Sequence, residues 1–300
     1  LDVGSILSLS FYEGLVFGLV AIGVYITFRV LAFPDLSVDG TFPLGGAVAA
    51  ALIVNGVNPF AATVLALLAG ICAGLLTGLL NTKLRISALL AGILVMVGLY
   101  SVNLRIMGGA NIPLLRETSV FDVVGDFLGL HGVPLSIVTV LLVVVVVFLV
   151  LNWFLRTEIG LALRATGDNE QMVRSLGSDT DKAVLLGCGI SNGLVALSGA
   201  LVAQNQGFSD VGMGIGMIVM GLAAVIIGER LFHPKGTAWV LLACLGGMFL
   251  YRLFITIVLR LGMPPGDLKM ITAGLVILAL ALPYLRKRLR HEWVPPAARW

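Results

Sequence analysis

Apolar positions along this chain are grouped neither at alternate residues nor on one helical face. They fill unbroken blocks of about 20 residues, the length an α-helix needs to cross a hydrocarbon layer of about 30 Å. Blocks at 11–33, 40–55, 59–80, 86–103, 135–155, 183–204, 213–230, 236–259 and 269–285 predict about nine spans, within a range of seven to ten. A membrane β-barrel would instead show alternating segments of about 10 residues. The second block is the weakest, because Pro34, Gly40 and Pro43 interrupt it; a re-entrant segment in a seven- or eight-span chain is the competing reading. The expected fold is all-α: a polytopic transmembrane helix bundle forming one domain over residues 1–300, with two long connections at about 104–134 and 156–182.

Composition supports lipid as the solvent. Hydrophobic residues make up 59% of the chain and charged residues 12%, with a mean hydropathy of +1.06, against about 25% charged in soluble domains. A net charge of +3 gives no reason to expect a nucleic-acid partner. Cys72, Cys188 and Cys244 lie in apolar blocks without metal-ligand spacing, so they read as small buried hydrophobes and no metal site is expected. Leu1–Phe11 lacks a basic leader and a small-residue cleavage pattern, which argues against a removable signal peptide.

Basic residues sort by side. Lys83, Arg85, Arg156, Arg164, Arg174, Lys182, Arg230, Lys235 and the tail Arg286, Lys287, Arg288 and Arg290 fall on one side, which the positive-inside rule makes cytoplasmic. Arg105, Arg116, Arg252, Arg260 and Lys269 fall on the other, giving an outside N-terminus and an inside C-terminus. Arg252 lies within a span near its outer end, where snorkelling is the first reading and a carboxylate-binding role the alternative. Gly70, Gly74 and Gly78, and the small residues Gly189, Gly193, Ala196 and Ala200, predict close helix contacts.

Three segments carry candidate chemistry. In the inner connection, Asp168 with Gln171 resembles a capping box and Gly177 a left-handed stop, predicting a helix of about eight residues. Met172, Val173 and Leu176 would share its apolar face, leaving Asn169, Glu170 and Arg174 polar; this pattern suits a partner's groove and a headgroup layer equally. In the broken second span, Asp35, Ser37, Asp39 and Thr41 either line a solute path or serve as solvated caps. Downstream, Gln204 and Asn205 lead into Gly212, Gly214 and Gly216, with Met213 and Met217 able to repack around a solute. An ordinary outer turn is the alternative. Asn103, Arg105 and Asn111 flank the outer connection and suit the mouth of a path or the interface.

An intramembrane enzyme fits poorly, since His131, His233 and His291 are scattered and no metal or nucleophile motif accompanies them. A passive channel lacks a filter-like repeat. An ion-coupled secondary transporter suits the broken helix but leaves the capped inner helix without a task.

The run from Arg156 to Gly177, followed by Ser191 and by Ser198 to Val202, closely resembles the coupling-loop region of ABC importer permeases for branched-chain amino acids and ribose-type sugars. Asp35-Leu-Ser-Val38 is similar to a stretch of the sugar permeases, although Asp39 precedes Gly40 here. Asp39 and the run Asn103–Pro113 look more like an amino-acid, including tryptophan-type, offshoot. The resemblance implies a type II importer permease of the bacterial plasma membrane that pairs with a second permease chain, as a homodimer. It further implies cytoplasmic ATP-binding subunits carrying ATP and Mg, and an extracytoplasmic solute-binding protein.

On this reading Arg164, Gly167, Asp168, Asn169, Glu170, Met172, Val173, Leu176 and Gly177 couple to the ATPase. Ser37, Asp39, Thr41, Asn103, Asn111, Gln204, Asn205, Met213 and Met217 are the candidates for the solute path. The chain has no phosphate-binding Gly-rich loop with Lys, so no cofactor and no enzymatic activity are expected on it. An amino acid is the expected solute, with a nucleoside or sugar as alternative.

Overall fold

The computed structural model describes residues 3–267 apart from 116, 130 and 131, together with 270–274, 277 and 281. In chain order the helices are α1 (Val3–Tyr25), continued by a wide π turn (Ile26–Val30), α2 (Val38–Val54), α3 (Pro59–Thr82) and α4 (Ala88–Met107). Strand β1 (Asn111–Pro113) precedes α5 (Val120–Leu128), α6 (Val133–Phe154), α7 (Glu158–Asp168), α8 (Glu170–Ser175) and α9 (Thr180–Gln206). Strand β2 (Phe208–Asp210) and a 3₁₀ turn (Val211–Gly214) lead into α10 (Met217–Phe232) and α11 (Thr237–Arg260).

The polytopic helical bundle expected from hydropathy is present. Among the described residues, six helical stretches are long and apolar enough to cross a membrane, Ile6–Val30 being one. The expected second and seventh spans correspond to α2 and α10, which have only 17 and 16 residues. The ninth expected span and the basic tail fall largely outside the described residues, as do Arg116, His131 and Lys269. The basic residues between α3 and α4, around α7 to α9, and between α10 and α11 gather at one end of the bundle, called the basic end below.

α9 is the axis of the packing and is buried along most of its length. It lies so close to α3 that a Cβ on Gly70 would meet the Asn192 carbonyl and one on Gly74 the Cys188 carbonyl, so the glycine repeat serves the packing expected of it. On its other face Ser191 Oγ donates to the Gly23 carbonyl and Ser198 Oγ to the Val16 carbonyl, each at 2.7 Å, tying α9 to α1. Such hydroxyl-to-backbone bonds between helices take the place of the hydrophobic drive that lipid removes.

Two features escaped the hydropathy reading. The outer connection holds α5, whose Ser119 and Asp122 form a capping box. It also contributes β1, which pairs antiparallel with β2 so that Asn111 lies opposite Asp210. Three-residue strands are too short to leave a periodicity in sequence.

Candidate functional site

The irregular stretch from Leu31 to Ser37 breaks the second span in the middle of the bundle. Its depth follows from Asn192, which packs against Gly70 and Gly74 near the centre of α3 and donates from Nδ2 to Asp35 Oδ2 at 2.8 Å. Asp35 Oδ1 accepts from the Ser37 backbone N–H at 2.8 Å and from Ser37 Oγ at 2.6 Å. Asp35, Ser37, Thr41 and Asn192 are all fully buried. A carboxylate at this depth is tolerable because each oxygen has a donor. Gly92 of α4 closes the region, its α-carbon so near that a Cβ would lie 2.6 Å from the Leu36 nitrogen. Thr41 Oγ1 donates back to the Ser37 carbonyl at 3.0 Å.

In the first turn of α2, Asp39 serves a second broken helix. The connection from β2 dips into the bundle, where Gly214 meets the Asp39 carbonyl and Pro43 so closely that a Cβ has no room. α10 begins there. Asp39 accepts from the Gly216 N–H at 3.0 Å and from the Ile218 N–H at 2.9 Å, capping α10 from another helix. A carboxylate at a helix N-terminus is favoured by the exposed N–H groups and the helix dipole. Gly216 enables the turn at φ +89°.

The other path candidates divide. Met213 packs over Gly46, and Ser209 Oγ approaches its sulfur at 4.0 Å; Met217 joins the main core. Asn103 is not at the outer mouth. It is fully buried and donates to the Gly40 carbonyl at 3.1 Å, supporting the start of α2, while its Oδ1 has no partner among the described residues. Gln204 bonds to Thr63, Ala200 and the Val120 N–H, so it clamps α3, α5 and α9 together. Asn205 accepts from Ser136, and Asn111 is exposed in β1. The structure thus brings Ser37, Asp39, Thr41, Met213 and Met217 around the two helix starts and leaves Asn111, Gln204 and Asn205 at the far end.

The inner connection contains two helices. Asp168 is the last residue of α7 rather than a cap, because Thr157 has already started that helix by accepting from the Gly160 N–H. Asn169 turns to an extended φ of −158° and caps α8, its side chain accepting from the Met172 N–H at 3.0 Å. Gln171 makes no capping box. Gly177 adopts φ +84°, as the left-handed stop requires. The expected apolar face is divided: Val173 is buried, whereas Met172 and Leu176 are 52% and 74% exposed. Glu170 and Arg174 pair across one turn, and Arg174 also reaches Asp181 at 3.0 Å.

α7 fastens this connection to the bundle. Leu163 is fully buried against Val30, Leu31, Phe33 and Cys188, Gly167 abuts the Val30 carbonyl, and Arg164 donates to the Leu155 carbonyl. The residues anchoring α7 are therefore the ones that open the break leading to Asp35. A cavity of about 830 Å³, lined by Phe33, Asn81, Arg85, Ser87, Arg174 and Asp181 among others, lies between the break and α8.

Arg252 corrects a further expectation. Its guanidinium does not snorkel outward; it lies 3.7 Å from the Phe17 ring centroid and 3.6 Å from Glu13. Side chains on a helix lean toward its N-terminus, which in α11 is the basic end, so Arg252 is directed into the bundle.

A helix bundle with two helices starting at mid-depth is an arrangement that membrane transporters use. The family model for the permease component of branched-chain amino acid transport systems matches residues 6–281, and the chain belongs to that family of ABC importer permeases. It is 45% identical over 269 residues to a tyrosine transport system permease protein of Clostridioides difficile, covering 90% of this chain and 88% of that protein. It is 28% identical over 198 residues to the ribose import permease protein of Escherichia coli, covering 65% of this chain and 60% of that protein. No solved structure matches it. The chain is a multi-pass bacterial inner-membrane permease subunit for a small solute.

Proposed function

We propose that this chain is the translocating subunit of an importer of an aromatic amino acid, working by alternating access under the drive of a separate ATPase. The solute class rests on the tyrosine permease relative, which matches nearly end to end. The drive rests on α8, whose Met172 and Leu176 stand exposed beside a buried Val173. Two apolar side chains held on a capped helix suit a groove on a partner better than water. Arg164, Gly167 and Asp168 fasten or end α7, so a push on α8 reaches Val30 and Leu31 and hence the break.

Two such chains pair as a homodimer, each bound to an ATP-binding subunit that holds ATP and Mg, with an extracytoplasmic binding protein delivering the solute. The basic end faces the cytoplasm, with the N-terminus outside and the C-terminus inside. Ser37, Asp39, Thr41, Met213 and Met217 flank the path, because broken helices are confined to places where protein or a water-filled cavity satisfies the backbone.

The test is co-reconstitution with the ATPase and the binding protein in proteoliposomes, measuring uptake of radiolabelled L-tyrosine and ribose. ATP-dependent accumulation of tyrosine is expected. Proton-driven uptake by the chain alone, or transport of ribose but no amino acid, would overturn this reading.

A further inference from the structure

Glu13 of α1 and Arg252 of α11 form an ion pair between two membrane-spanning helices, away from their ends. The other ion pairs described, such as Arg29–Glu229 and Lys83–Asp181, gather at the basic end. Charges inside a membrane are costly and are retained where function needs them.

The pair is a loose one. Glu13 approaches Nη1 at 3.6 Å, beyond hydrogen-bond distance. Nη2 meets the Met220 sulfur at 3.3 Å, a weak acceptor. Nε is buried and has no partner among the described residues. The Nε/Nη2 edge, one of the forks a carboxylate uses for two parallel bonds, is thus covered by a thioether alone. The flat face rests on Phe17, itself stacked on Phe42 with centroids 5.9 Å apart. Met220 belongs to the first turn of α10, whose N-terminus Asp39 caps.

A zwitterionic solute entering such a bundle needs a cation for its carboxylate and an anion for its ammonium group, since neither charge can be left bare in a low-dielectric path. We infer that Arg252 and Glu13 form a recognition point for an α-amino acid in transit: the carboxylate takes the Nε/Nη2 edge when the flexible Met220 side chain swings aside, and Glu13 receives the ammonium group. The inference rests on the amino-acid reading above and deepens it, placing the solute between α1, α10 and α11.

The test uses the complete transporter in proteoliposomes with L-tyrosine as probe. The double variant Glu13→Gln/Arg252→Met removes both charges without stranding either. Assembly and basal ATP hydrolysis are expected to persist while tyrosine uptake falls at least about tenfold, the scale of one charge-assisted interaction. Arg252→Lys, which keeps the charge but loses the planar fork, is expected to lower uptake by a similar factor and serves if the double variant fails to assemble. Uptake within about twofold of the parent in either variant, or restored by exchanging the pair as Glu13→Arg/Arg252→Glu, would make the pair a tie between helices and overturn the inference. Failure of the parent chain to import any amino acid would instead overturn the solute class on which it rests.

Discussion

Asn169 and Asp35 perform the same local act in opposite surroundings. Each accepts a hydrogen bond from a backbone N–H just ahead of it, Asn169 from Met172 and Asp35 from Ser37. Asn169 is exposed and starts a six-residue helix in the inner connection. Asp35 is buried at the centre of the bundle and depends on Asn192, 157 residues away, for its second oxygen. Turn chemistry that is nearly free in water is tolerated at depth only with a complete set of partners. The inner connection is therefore free to be a contact surface, whereas the break is a fixed element that moves with its partners or not at all.

The comparison breaks most completely at the exposed face of α8. Replacing Met172 and Leu176 together with Asp should abolish ATPase co-purification and ATP-driven uptake while leaving the permease folded, since both side chains are already in solvent. Retained co-purification would sink the docking role. Next comes the buried member: Asn192→Leu strands one oxygen of Asp35, and a loss of about 2–4 kcal/mol is expected, read as a lower unfolding temperature in detergent. Gly214→Ala drives a methyl group into the Asp39 carbonyl and should cost about 1–3 kcal/mol by the same assay, with Gly98→Ala, which meets open space, as control. Gly177→Ala, at φ +84°, should cost about 1 kcal/mol locally, seen as faster amide exchange in α8 with little change in overall unfolding.

The smallest effect concerns Asp179, which caps α9 at the basic end. The Lys182 backbone N–H and then its ammonium group hold the Asp179 carboxyl below the usual carboxylate range. A depressed folded value stabilises above the unfolded one, near pH 4, and the contribution disappears as pH falls through the folded value. Asp179→Asn should therefore be slightly less stable than the parent above about pH 4, and acid titration should bring the two together below it; the difference is small because the group is exposed.

What could be read from sequence divides along the same line. Spans, the inner connection and the stop at Gly177 are local signals, carried by continuous apolar blocks and by one glycine. The start of α8 was misplaced by one residue because Asp168 and Asn169 are both competent caps, and only the continuation of α7 from Thr157 decides between them. Asp35 and Asp39 were visible as unusual charges in a broken span, but their depth was not, since it is set by Asn192 and Gly216. Asn103 reads as a mouth residue and Gln204 as the polar lead into a Gly-rich segment, yet their partners Gly40 and Thr63 lie on other helices. Arg252 was misread because hydropathy locates a residue along a helix and says nothing of the direction in which its side chain leans.

Asp39 holds the Gly216 and Ile218 N–H groups together, so any sliding of α10 along its axis breaks two charge-assisted bonds at once. Rocking about that point breaks neither, which makes the carboxylate a pivot and α10 a lever. Its far arm ends at Glu229, paired with Arg29 in the π turn of α1, about 20 Å away at the helical rise. A tilt of about 3° about the pivot then carries Glu229 about 1 Å, drawing on the π turn that α7 grips from the other side. The inner connection and the buried helix starts are thereby joined through this one arm.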